Sequence, residues 1–212
     1  SIVGVSAGVI VSNVFSTKKH PFVQTLNYLA SKASHLVLTG GIIANNECLS
    51  LLRKELTHFV FEGEAELKLR FFLGQWFGVE KHPCTPGIHF KYKNQLLETK
   101  EKKDVVDFNW DIISTYDQIS IEKYNEIGCL SPFSRMIGRD RKYGTVQLVR
   151  GCRAHCSFCG VTPFMGTKVR HYSVDTVLSE IEFLVRKRGV SHIEWLDDDF
   201  LYIALVGDPG DR

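Results

Sequence analysis

Cys152, Cys156 and Cys159 stand in a Cys-x3-Cys-x2-Cys array just after an apolar, β-branched run, Thr145-Val146-Gln147-Leu148-Val149. Thiolates are the preferred protein ligands of iron–sulfur clusters, and three at this spacing can hold three corners of a cubane. The fourth iron would then lack a protein ligand, which leaves it open to bind and reduce a small molecule. Phe158 sets an aromatic ring directly before the last cysteine. Two other chemistries compete for the same residues. A structural zinc takes four protein ligands, so His155 or His171 would have to complete a Cys3His set. Disulfides between cysteines this close in the chain would be strained.

The elements around the loop read as a β-loop-α-β unit. The 145–149 run is a strand, and the loop extends from Gly151 to Tyr172. Ser173 is a fitting N-cap for a helix whose apolar stripe is Val174, Val177, Leu178, Ile181, Leu184 and Val185. Lys187, Arg188 and Gly189 close it. The charges Glu180, Glu182, Arg186 and Lys187 read as its solvated face. Ser191–Leu196 is the next strand, ending in Asp197-Asp198-Asp199-Phe200.

Upstream, three short β-branched runs are predicted as strands: Ile2–Ser6, His35–Thr39 and His58–Phe61. Helical spacing covers 20–32 and 48–55, and a further helix opens after Glu62-Gly63-Glu64. Strand and helix in alternation predict a parallel α/β sheet. Lys93-Asn94 joins 87–92 to 95–98 as a hairpin. Residues 99–144, with a charge run from Lys100 to Asp104, read as a linker that wraps. The expected organisation is therefore an α/β domain at 1–98, a linker at 99–144 and a second α/β region at 145–212.

Composition excludes several classes. The 212 residues are 44% hydrophobic and 24% charged, as in a globular protein rather than a disordered or coiled-coil chain. Lys+Arg 26 against Asp+Glu 24 leaves a net charge of +2, with no dense basic block to point to nucleic acid or an anionic membrane. No apolar run reaches the ~18 residues of a membrane span. Six cysteines, three of them clustered, fit a metal in a reducing compartment better than a secreted disulfide scaffold.

Gly151-Cys152-Arg153-Ala154-His155-Cys156-Ser157-Phe158-Cys159 resembles the cluster loop of the radical S-adenosylmethionine enzymes. That family carries Cys-x3-Cys-x-aromatic-Cys at the end of the first strand of a (β/α) barrel. The resemblance implies a 4Fe–4S cluster on Cys152, Cys156 and Cys159, with S-adenosylmethionine chelating the open iron. One electron would cleave the sulfonium and release a 5′-deoxyadenosyl radical. Phe158 would lie near the adenine, and Asp198, in a run similar to the family's Asp-Asp-x-Phe, would face S-adenosylmethionine. A small-molecule substrate, a reducing partner such as a flavodoxin or ferredoxin, and a cytoplasmic setting follow from the same likeness.

The first region resembles the cobalamin-binding domains that precede the radical core in one branch of the family. Such domains are doubly wound, Rossmann-like sheets. The resemblance assigns cobalamin contacts to Ser6, Gly40, Gly41, Glu62 and Gly63 at the three strand ends. Two features depart from the pattern. The branch's Asp-x-His-x-x-Gly is not seen, and Ser6-Ala7-Gly8 replaces Ser-x-Leu. A rival N-terminal domain, from the methylthiotransferases, places Thr-Gly-Cys at a comparable strand end, where this chain has Thr39-Gly40-Gly41. A corrinoid or electron-carrying module without catalysis and a zinc-stabilised binding domain are the other readings. A barrel step needs ~30 residues, so 145–212 is expected to hold only the first βαβ part of a truncated barrel, and truncation is expected at both ends.

Overall fold

The computed structural model describes residues 1–6, 20–32, 34–79, 87–99, 112–127 and 141–200. The expectations on Ala7-Gly8 and the 100–104 charge run lie outside the described residues, as do Cys84, Cys129 and residues 201–212. Two units divide the chain: Ser1–Val106 with His155–Gly166, and Asp107–Ala154 with Thr167–Arg212.

The first unit is built on one five-stranded sheet, β1 (Ile2–Ser6), β2 (Leu36–Gly40), β3 (Phe59–Phe61), β4 (Ile88–Tyr92) and β5 (Gln95–Glu98), in that spatial order. β1, β2 and β3 are parallel, while β4 and β5 run antiparallel and extend the same sheet. Among the described residues the order lacks the reversal of a doubly wound sheet. Helices nevertheless cover both faces, because β2 and β3 are apolar at consecutive positions. Val37 and Val60 pack with Leu26 of α1 (Pro21–Ala30) and with Cys48, Leu51 and Leu52 of α3 (Cys48–Arg53). Their neighbours Leu38 and Phe61 pack with Phe72 of α4 (Glu66–Phe77). Burying both faces of a strand in this way is the packing of a parallel sheet.

One detail differs from expectation and one agrees with it. A five-residue helix, α2 (Ile42–Asn46), starts directly after Gly41. The predicted hairpin forms, and Lys93 and Asn94 both take positive φ, as a two-residue turn matching strand twist requires.

In the second unit β6 (Tyr143–Val146) pairs in parallel with β9 (His192–Trp195), and α8 (Val174–Arg188) connects them across the chain. Ser173 Oγ accepts the Thr176 N–H at 3.1 Å as the N-cap. The expected 145–149 strand is broken: after Val146 the chain turns, and Val149–Arg150 (β7) pairs antiparallel with Arg170–His171 (β8). That pair joins the two feet of the cysteine loop.

The region read as a linker contributes to this core where it is described. Ile112 of α5 (Ile112–Thr115), Tyr116 of the 3-10 turn after it and Ile121 of α6 (Ile121–Ile127) pack with Val146, Val177 and Leu184. The helix face read as solvated is corrected at one position: Glu180 is 3% exposed and accepts a 2.6 Å hydrogen bond from the Tyr116 hydroxyl. Burial holds the Glu180 carboxyl above its ordinary range, with the Tyr116 bond acting in the opposite sense. The apolar stripe is shared out, with Val177 and Leu184 buried and Val174, Leu178 and Val185 exposed.

Candidate functional site

The cysteine array sits where the chain passes between units. Cys152 belongs to the second unit, Cys156 and Cys159 to the first, and the three are read together through their spacing in the chain. All three are free cysteines among the described residues. Cys156 and Cys159 lie on one tight turn, the Cys159 N–H donating to the Cys156 carbonyl at 3.1 Å. The Val161 N–H points at Cys159 Sγ from 3.5 Å. A backbone hydrogen bond to a ligating sulfur is one of the levers that set the potential of an iron–sulfur centre. The donor set and this backbone contact fit a cluster held by Cys152, Cys156 and Cys159. Phe158 is 88% exposed, with its ring free to meet a ligand.

Within the second unit the acidic run divides its work. Asp197 Oδ1 accepts the Leu148 N–H at 2.9 Å and also the Val149 N–H. This carboxylate therefore takes the two backbone donors freed where β6 ends, and it fixes the segment that leads into Cys152. Asp199 pairs with Arg153, the residue after Cys152, at 3.2 Å. Asp198 keeps an exposed side chain, yet desolvation raises its carboxyl above the ordinary range. Desolvation raises Asp197 as well, opposed by its two backbone bonds. The sequence singled out Asp198 alone. Its neighbours carry the structural contacts, and only a fold that brings 197–199 beside 148–153 could show that.

The strand-end residues of the first unit do come together. Ser6 and Gly40 are register partners on parallel strands. Gly41 caps α2 with φ 93, and Gly63 follows β3 with φ 64, conformations that L side chains resist. Gly40 is different: a Cβ there would meet Ala65 and Phe61 only at 3.7–3.9 Å, an ordinary contact. Gly41 and Gly63 are thus demanded by the backbone, while a side chain at Gly40 would meet only ordinary contacts at the sheet's carboxyl edge. Sequence reasoning missed Asn45, whose Oδ1 accepts the Gly63 N–H at 2.9 Å and ties α2 to the end of β3. It also missed what lies over this edge. Gly160, the residue after Cys159, packs against Ile42 and Asn46, and Phe164 O of α7 (Val161–Met165) lies 3.2 Å from where a Gly63 Cβ would stand. The segment that continues the cysteine array therefore rests on the carboxyl ends of β2 and β3.

No protein-family profile matches the chain. An uncharacterized methyltransferase of Pyrococcus horikoshii is 33% identical over 89 residues, 42% of this chain and 18% of that protein. The cytidylyl-2-hydroxyethylphosphonate methyltransferase of Streptomyces wedmorensis is 37% identical over 81 residues, 38% of this chain and 14% of that protein. Among solved structures, the radical S-adenosylmethionine methyltransferase TsrM of Kitasatospora setae, with cobalamin and a [4Fe-4S] cluster bound, aligns at a TM-score of 0.63 and 18% identity. The alignment covers 94% of this chain and 38% of TsrM. The chain thus has the mixed α/β fold of that stretch of TsrM and spans well under half the length of each of these proteins. Among the described residues no helix is long and apolar enough to cross a membrane.

Proposed function

We propose that this chain carries the cobalamin-binding and cluster-binding segments of a radical S-adenosylmethionine methyltransferase acting on a small molecule. The observation that carries the reading is the placement of Gly160–Gly166, directly after Cys159, against α2 and Gly63 at the carboxyl edge of the parallel strands. One unit thereby holds two of the cluster cysteines beside the strand ends assigned to cobalamin.

Cys152, Cys156 and Cys159 would hold a 4Fe–4S cluster, and Ser6, Gly40, Gly41, Glu62 and Gly63 would cradle the corrinoid. When bound, these groups supply an electron for reductive cleavage of S-adenosylmethionine and a carrier for its methyl group. The protein's own residues bind, orient and shield. Asp197 and the Arg153–Asp199 pair hold the foot of the loop, and the Val161 N–H donates toward Cys159 Sγ. Phe158 would lie near the adenine of S-adenosylmethionine, and Asp198 would offer that molecule a carboxylate. A low-potential donor such as a flavodoxin or ferredoxin, and a reducing cytoplasmic setting, belong to the same reading. The methylthiotransferase alternative needs a cysteine where this chain has Gly41, at a positive φ that L side chains resist.

Anaerobic reconstitution with iron and sulfide is the test. About four irons per chain, as one cubane requires, should bind with a brown chromophore, and Ala at any one of Cys152, Cys156 or Cys159 should abolish the uptake. Cys48 is a control: it is buried in the α3 core, and burial, with the charges of Glu62 and Glu98 behind it, pushes its thiol up to about 12. Cys48→Ala should leave iron content unchanged. Tight zinc binding without chromophore would overturn the proposal.

A further inference from the structure

The first unit also gathers metal-ligating side chains away from the cysteines. His89 on β4 is the register partner of Val60 on β3 and of Glu98 on β5, so these residues share one face of the sheet. Glu62 lies two residues past Val60, and its N–H bonds to the Gly87 carbonyl at 2.8 Å, prolonging the β3–β4 ladder. Side chains alternate along a strand, so Glu62 returns to the face of His89 and Glu98. His89 Nε2 lies 2.9 Å from Glu62 Oε2. One ligand atom from each of Glu62, His89 and Glu98 lies within 4.8 Å of the other two. His89 is mostly buried while Glu98 is exposed, so the trio has a fixed floor and an open rim.

We propose that Glu62, His89 and Glu98 form a binding site for a divalent first-row transition metal. The ligand chemistry selects the class. Two carboxylate oxygens and one imidazole nitrogen suit manganese, iron(II) or zinc, whereas a calcium site asks for six or more oxygens. Three protein ligands leave coordination positions for water or a bound small molecule. Three adjacent strands carry the ligands, and β-ladder hydrogen bonds hold those strands at fixed spacing. Closing the trio on an ion therefore requires side-chain rotation alone. The site needs neither the cysteine loop nor α2, and it shares only Glu62 with the corrinoid cradle proposed above; the test therefore rests on His89 and Glu98, which that cradle does not use.

Manganese(II) is the probe, because a hard cation avoids the thiols that would capture zinc. Titration of the full chain, free of iron, is followed by loss of the free-ion electron paramagnetic resonance signal. One ion per chain should bind. His89→Gln and Glu98→Gln should each weaken binding at least about tenfold, on the scale seen when metal-site residues are lost, and Glu182→Gln should not change it. Glu98 is exposed, so its variant keeps the test valid even where the His89 variant folds poorly. Electron spin echo modulation from a directly coordinated imidazole nitrogen should appear and should vanish in His89→Gln. Absence of saturable binding, or equal affinity in both ligand variants and wild type, overturns the proposal.

Discussion

In the first unit the turns at the functional edge are backbone-built: Gly41 and Gly63 adopt positive φ, and Asn45 spans from α2 to the Gly63 amide. In the second unit the turn into the cysteine loop is held by charge. Asp197 takes two amides there, and Asp199 meets Arg153. The contrast follows from what each edge leaves room for. Glycine reaches the positive φ that the turns after β2 and β3 take, whereas a carboxylate can satisfy amides that lose their strand partner where β6 breaks. The first unit should therefore be sensitive to added side-chain volume, and the second to removed acceptors.

The largest expected effect tests the second half of this contrast. Asp197→Ala strands two amide donors, each costing about 1–3 kcal/mol when left without a partner. A loss of about 2–4 kcal/mol is expected, with faster amide exchange at Leu148 and Val149. Asp197→Asn keeps an acceptor oxygen and should recover most of the loss. If both variants unfold at the wild-type denaturant concentration, the carboxylate does not hold the loop.

Smaller effects are expected from the glycines. Gly63→Ala forces a side chain into the left-handed region, at about 1–2 kcal/mol, and also presses on Phe164 O. Gly40→Ala meets only ordinary contacts, so stability should move by no more than about 0.5 kcal/mol while cobalamin affinity falls. Urea midpoints and a cobalamin titration separate the two variants. Equal destabilisation by both would erase the distinction between a glycine that the backbone demands and one that it does not.

The smallest effect concerns Glu180 in the second core. Its folded pKa is raised by burial above the ordinary carboxylate value near 4.5. A raised folded pKa gives stability that is fully present below the unfolded pKa and is lost as pH rises through the folded one. Glu180→Gln keeps an acceptor for the Tyr116 hydroxyl and removes the ionisation. The variant should match wild type at acid pH, below 4.5, and exceed it at pH 8. Denaturant midpoints at the two pH values check the sign, and a variant less stable at pH 8 would show that the buried carboxylate is favourably paired.

Local signals sufficed for much of the fold. β-branched runs gave the three parallel strands, Ser173 and Gly189 bounded α8, and Lys93-Asn94 gave the hairpin, because strand propensity, capping and turn geometry act over a few residues. Glu180 could not be read in this way. On helical periodicity it belongs to a polar face, and only Tyr116, 64 residues earlier, makes it interior. The same holds for 112–127, whose short helices lack a periodic stripe and gain their place from the core they complete.

The cysteine spacing, with Phe158, carried the cluster reading by itself, since three cysteines and an aromatic within eight residues need no tertiary contact to be recognised. Tertiary structure decided which strand ends meet, that Asp197 and Asp199 rather than Asp198 carry the loop, and that Glu62, His89 and Glu98 converge. Those outcomes depend on register and long-range pairing: a hydrogen bond between residues 148 and 197 has no local signature, because its energy appears only after the intervening chain has folded.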